Sequence, residues 1–103
     1  RFWDNDFLYS ATAQTLGVVK YIVPGTDFSS LDDIAINSIT ALTGNAYGGP
    51  DPYSVVITRN TGIAYYNRIQ FMIHCGVAEY VHVRIRTSNT WGVWFKYYGT
   101  RVQ

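Results

Sequence analysis

A single cysteine among 103 residues, Cys75, rules out an internal disulfide framework. It sits in the apolar run "FMIHCGV" and reads as a small buried hydrophobe. Runs of 18 or more apolar residues are also missing, which excludes a membrane-spanning helix. Charge is scarce, at 15% of residues, and eight Lys and Arg are scattered among seven Asp and Glu for a net +1. A protein that grips a nucleic-acid backbone needs its basic residues clustered, so that class is excluded. The same low charge, beside 48% hydrophobic residues, excludes a disordered chain. No internal repeat and no low-complexity segment interrupts the sequence, and at this length one core is the economical solution. The chain begins at Arg1 rather than Met, as expected of a piece cut from a longer polypeptide.

What is abundant is aromatic: 17% of residues, nine of them tyrosine. Rings on a charge-poor surface provide contact area at little entropic cost, as at interfaces and paratopes. Two-residue alternation is the clearest local pattern. Over residues 63–74, Ile63, Tyr65, Asn67, Ile69, Phe71 and Ile73 share one face, while Ala64, Tyr66, Arg68, Gln70, Met72 and His74 share the other. In "EYVHVRIRTS", Val81, Val83 and Ile85 oppose Tyr80, His82, Arg84 and Arg86. Such a pattern predicts antiparallel strands with the apolar face buried and the polar face solvated. "CGVAE" supplies a turn through Gly76, "RNTG" offers Asn60 and Gly62 for a hairpin, and "SNT" is a third turn. With a strand at residues 53–58 and another in "TWGVWFKYY", the chain from Tyr53 onward reads as a four-stranded meander. Strict alternation in the last strand places Trp91, Val93 and Phe95 in the core and Trp94, Lys96 and Tyr98 opposite, with Trp94 placed to stack under Arg84 or Arg86.

The first half is less periodic. Ser29 or Ser30 caps a helical start with Asp32 and Asp33 in its first turn, but the β-branched "IAINSITAL" favours a helical turn running into a strand. "TGNAYGGPDPY" is a loop, and the opening residues read as an extended lead-in followed by a short strand around residues 17–23. The fold class expected is therefore mainly β: a small antiparallel sheet or sandwich with at most one short helical turn near residues 29–34. Residues 1–20 form the lead-in and 21–103 the domain.

Catalytic chemistry finds little to stand on. Asp27, Asp32, Asp33, Asp51 and Glu79 form no recognisable carboxylate pair, and no G-x-S-x-G elbow marks a nucleophile. His74, Cys75 and His82 are the soft ligands, with His74 and Cys75 on opposite strand faces, and no EF-hand spacing gathers the acids. No metal and no cofactor are expected. The polar face of the later strands combines rings, donors and fixed positive charge in Tyr66, Arg68, Gln70, His82, Arg84 and Arg86. Such a set suits a saccharide, with rings for its C–H faces and Arg for any carboxylate or phosphate. It equally suits packing against the lead-in or a neighbouring subunit. Candidate ligand contacts are Tyr47, Asp51 and Tyr53 in the loop and Tyr66, Arg68, His82 and Arg84 on the face.

"TDFSSLDDI" and the stretches "ITALTGNAYGG", "YSVVIT", "YYNRIQFMI" and "YVHVRIRTSNTWGVWFKY" resemble pyocin-knob domains over roughly residues 21–98. The matching positions are Asp27, Leu31, Asn45, Gln70, Arg86, Trp91 and Trp94. Gly92, Ala35 and Tyr47 depart from the pattern, where Ser, Gly and Pro are usual. The resemblance implies a non-enzymatic, homotrimeric knob in the fibre-tip region of a phage tail fibre, a tailspike or a phage-tail-like bacteriocin, carried on an extracellular virion tail. Its implied partner is a bacterial surface polysaccharide or lipopolysaccharide. A purely architectural trimerisation knob, and an accessory domain of a polysaccharide depolymerase, are the alternatives.

Overall fold

Strands form wherever β-branched, alternating segments are bracketed by turn residues. A computed structural model of the chain describes residues 19–61 and 67–103. Among them the strands are β1 (Lys20–Tyr21), β2 (Ser38–Ala41), β3 (Ser54–Asn60), β4 (Arg68–His74), β5 (Tyr80–Thr87), β6 (Thr90–Trp91) and β7 (Phe95–Tyr98). They make one seven-stranded mixed sheet in the order β1–β2–β3–β4–β5–β6, with β7 paired to β5 beyond β6. Only β1 and β2 run parallel; the other pairings are antiparallel. The chain is thus mainly β, and β3 through β7 are the meander read from Tyr53 onward.

Two turns fall where the sequence places them. Residues 75–79, with Cys75 and Gly76 in the turn, link β4 to β5, and Ser88 and Asn89 link β5 to β6, with Ser88 at φ 55°. A two-residue hairpin loop calls for that left-handed conformation at its first position. Cys75 is exposed in its turn, not buried, because the ladder ends at His74 and releases the next side chain. Gly62, the alternation over residues 63–66, and most of the lead-in lie outside the described residues; β1 falls within the short strand expected at 17–23. Among the described residues the helical element is a single 3-10 turn, Leu31–Asp33, whose Asp32 N–H donates to Ser30 Oγ at 3.2 Å.

The polarity of the sheet reverses the expectation. The face buried against the rest of the chain carries Ser38, Thr40, Ser54, Val56, Thr58, Gln70, Met72, His82 and Arg84. Ile22, Phe28, Leu31, Ile34 and Leu42, all from the segment preceding β3, cover it. Some of the polar side chains on this face are met by backbone oxygens of the covering segment. Gln70 Nε2 donates to the Leu31 carbonyl at 2.9 Å, and Arg68 Nη1 donates to that of Ile34 at 2.6 Å. The apolar alternates form the opposite face. One row, Tyr21–Ile39–Ile57–Phe71–Val83–Phe95, runs from β1 to β7.

The last strand also departs from strict alternation. Arg86 faces Trp91, yet Val83 faces Phe95, so one extra residue is accommodated between β6 and β7. This is a β-bulge at residues 92–94, bonded through Gly92 N–H to the Ile85 carbonyl at 2.8 Å. A Cβ on Gly92 would lie 3.2 Å from that oxygen, which favours glycine there. The bulge brings Trp91 and Trp94 to the same face. Trp91 therefore does not fill a core with Val93 and Phe95; those two are 71% and 57% exposed.

Candidate functional site

Three rows of the buried face decide what each candidate residue can do. In the first, Ser38, Thr58, Gln70 and Arg84 are successive cross-strand partners. Gln70 is fully buried and acts as the hub: its amide donates to Thr58 Oγ1 at 3.2 Å as well as to Leu31 O, and its Oε1 accepts from Arg84 Nε at 2.7 Å. Arg84 Nη1 meets Asp32 Oδ1 at 2.9 Å, and its Cζ lies 4.0 Å from the Trp91 ring centre and 4.6 Å from that of Trp94. Burial pushes the Arg84 pKa below its ordinary value, an effect opposed by the bond to Asp32 and its charge. Trp91 Nε1 also donates to the Asp32 carbonyl at 3.0 Å.

Arg84 is therefore occupied by packing, as is Arg68 by its bond to Ile34. Tyr47 is scaffold too: at φ 47° it sets its ring edge-on to Phe28 at 5.4 Å, and its carbonyl accepts from Leu31 N. Tyr66 lies outside the described residues. The positions carrying the family resemblance have structural work as well. Asp27 Oδ2 accepts from Val23 N at 2.7 Å, Asn45 Oδ1 from Tyr47 N at 2.8 Å, and Arg86 Nη2 donates to Asn89 Oδ1 at 3.3 Å. Leu31 is fully buried.

Of the remaining candidates, Asp51 and His82 gather at the other end of the same face, while the exposed Tyr53 side chain, in the loop before β3, has no contact with them beyond its backbone N–H. The second row is Thr40–Val56–Met72–His82–Lys96, and beside it Ser54 pairs with His74 and Tyr80 with Tyr98. Asp51, in the loop before β3, accepts from Tyr53 N at 2.9 Å and lies 2.8 Å from His74 Nδ1. Burial alone would raise the Asp51 pKa. The Tyr53 N–H, the bond to His74 and the charges of His74 and His82 outweigh it and hold the carboxyl below its usual range. An ionised carboxylate only accepts, so His74 Nδ1 carries the proton. Tyr80 stands among the rings of His74 (6.1 Å), His82 (5.5 Å, edge-on) and Tyr98 (6.1 Å). Lys96 Nζ lies 4.0 Å from the Tyr80 ring centre and 5.1 Å from that of Tyr98.

The result is an exposed rim of Tyr98 and Lys96 around half-buried Tyr80 and His74, with Asp51 and His82 beneath. Rings, an ammonium and an imidazole of fixed orientation can hold a polyhydroxylated or anionic ligand by stacking and hydrogen bonds. Among the described residues, no hydroxyl or thiol is hydrogen-bonded to His74, and no three His, Cys, Asp or Glu gather as for a metal. Of these residues, Tyr80, His74, Lys96 and Tyr98 are absent from the candidate ligand contacts read in the sequence. Parity already put Tyr80 beside His82, and Lys96 beside Tyr98. Only the bulge, which sets Lys96 opposite His82, brings the two pairs together. Comparison with known protein families, with curated proteins and with solved structures finds no match for this chain.

His82 gives the site a pH signature. Burial, then the nearby Lys96 charge, lower its pKa below the ordinary 6.5, partly offset by Asp51 and the Met72 backbone. The unfolded chain takes up that proton at higher pH than the folded one, so stability falls as pH drops below about 6.5. The depressed pKa of Asp51 acts in the same direction lower down: its contribution is complete above the unfolded value near 3.8 and is lost as pH falls through the folded one. Thermal melts from about pH 7.5 to about pH 5 are expected to show a declining Tm. In His82→Gln the decline over that interval should flatten; an unchanged slope would assign it elsewhere.

Proposed function

We propose that the chain is a non-enzymatic attachment module that holds a bacterial cell-surface saccharide on the Tyr80–Lys96–Tyr98 platform. The observation that carries this reading is the platform itself: exposed Tyr98 and Lys96 flank Tyr80, beside an imidazole oriented by a buried carboxylate. The resemblance to pyocin-knob domains supports the setting, a homotrimeric knob in the tip region of a phage tail fibre or related particle. A second reading, a knob with an architectural role alone, is favoured by the packing of Tyr47, Arg68 and Arg84, which takes three candidate contacts out of a ligand's reach. An accessory role beside a polysaccharide depolymerase is compatible with the first reading.

Calorimetric titration with host lipopolysaccharide and capsular polysaccharide, alongside competition for adsorption to host cells, tests the proposal. Tyr98→Ala and Lys96→Ala should each weaken binding by about tenfold, about 1.4 kcal/mol, with little change in Tm at about pH 7.5, where His82 is neutral folded or unfolded, because both side chains are exposed. No binding to any envelope polysaccharide, or binding indifferent to both substitutions, would leave the architectural reading.

A further inference from the structure

The Tyr80–Lys96–Tyr98 platform presents rings and positive charge, and its acid is turned away from solvent. Lys96 and His74 flank Tyr80 from β7 and β4. Lys96 Nζ lies 4.0 Å from the Tyr80 ring centre and meets no carboxylate among the described residues. Tyr98, 73% exposed, keeps a ring face open beside that ammonium. His74 commits Nδ1 to Asp51, while its Nε2 is neither bonded nor buried. Asp51 is buried, with Oδ1 on the Tyr53 N–H and Oδ2 on His74, so it has little to offer a ligand. Glu79, next to Tyr80 in sequence, has the opposite parity from Tyr80 and His82.

We propose that the platform selects acidic saccharides, sugars that carry a carboxylate or phosphate beside the ring face laid on Tyr98. The inference rests on the saccharide reading above and adds the charge of the ligand. A neutral sugar brings hydroxyls, which need acceptors as well as donors. Here the ammonium donates and cannot accept, and the strongest acceptor of the site, Asp51, is consumed beneath. An anion satisfies the ammonium directly. Lysine is a point charge without a planar fork, so it reads carboxylate and phosphate alike. His74 adds to the selection from the other side of Tyr80. With Nδ1 held by Asp51, a second proton goes to Nε2 and gives the ligand another charged donor.

The imidazole under the platform responds to the same charge. His82 is buried, faces Lys96 across the β5–β7 pair, and has no partner for Nδ1. Thr40, Val56 and Met72 in its row carry no charge, and Arg84, next along the face, is turned to Gln70 and Asp32. Burial and then Lys96 oppose protonation of His82, whereas Asp51, which His74 shares, and the Met72 backbone favour it. An anion held at Lys96 cancels part of that opposition, so His82 takes up a proton more readily in the complex than in the free protein. By linkage, an acidic ligand binds more tightly as pH falls, and an uncharged ligand lacks that dependence.

The test is calorimetric titration of the full chain with host capsular polysaccharide and lipopolysaccharide, each as isolated, after carboxyl reduction and after dephosphorylation. One of the two treatments should weaken binding about tenfold, and which one does so identifies the anion as carboxylate or phosphate. In Lys96→Gln the treated and untreated polymers should bind alike, and Lys96→Arg should keep the difference. Affinity for the untreated polymer should rise roughly threefold from about pH 7.5 to about pH 5.5, and the rise should vanish once the anion is removed. Binding undiminished by both treatments, a preference that Lys96→Gln leaves intact, or one pH trend for charged and uncharged polymer alike overturns the selection and leaves the saccharide reading standing. Absence of binding to every polymer removes both.

Discussion

Gln70→Leu is expected to destabilise the domain by about 3–5 kcal/mol, although leucine matches glutamine closely in size. The amide is fully buried and satisfies three groups at once: the Leu31 carbonyl, Thr58 Oγ1 and Arg84 Nε. Removing it strands a backbone acceptor and, at greater cost, the Nε of a buried guanidinium. Asp32 compensates poorly, since its side chain is 62% exposed and already engaged with Nη1. The stranded charge predicts a particular non-additivity. Arg84→Met alone leaves Gln70 Oε1 unpaired and frees two indoles, yet the double variant Gln70→Leu/Arg84→Met removes donor and acceptor together. Its cost should fall short of the sum of the singles by about 1–3 kcal/mol, read from denaturant unfolding. A Gln70→Leu cost under about 1 kcal/mol would mean that the network is decorative.

That network also explains what could and could not be read from the sequence. Alternation states which side chains share a face, and it did so for Gln70 with Met72 and for His82 with Arg84. It does not state which face is covered. Ordinarily the apolar set decides, but here the segment carrying Leu31 and Ile34 presents carbonyl oxygens as well as side chains, and those oxygens need donors. Gln70 and Arg68 supply them, so the polar face goes inward and the apolar one outward. The turns at Gly76 and Ser88 and the cap at Ser30 were legible because each depends on a few adjacent residues. The bulge at Gly92 was not, because one inserted residue between Trp91 and Phe95 leaves no mark in composition. It changes the site more than any other feature, since it stacks both tryptophans on Arg84 and sets Lys96 beside Tyr80. Cys75 shows the same limit on a smaller scale: an apolar run predicts burial, and one residue past the end of β4 the prediction fails.

Leu31→Ala should cost about 3–5 kcal/mol, and part of that loss should be recoverable from an unexpected position. Leu31 is fully buried at the centre of the segment that covers the sheet, against Phe28, Ile34, Leu42, Val56 and Met72. Its truncation leaves a cavity that a 3-10 turn, pinned by the Leu31 N–H to Tyr47 O and the Leu31 carbonyl to Gln70, cannot collapse to fill. Gly49 borders the same space. A Cβ built there would lie 2.8 Å from Leu31 Cδ1 and 2.6 Å from Met72 Cε, so Gly49→Ala alone is overpacked and should cost about 1–3 kcal/mol. Once Leu31 is alanine, the first of those clashes is gone and the flexible end of Met72 has room to swing aside. Gly49→Ala should then be stabilising in the Leu31→Ala background, with a coupling energy of at least about 1 kcal/mol between two positions eighteen residues apart. Additive costs would show that the two side chains do not share a cavity, and that the loop carrying Tyr47 and Gly49 sits farther from the sheet than the packing of Leu31 on Met72 requires.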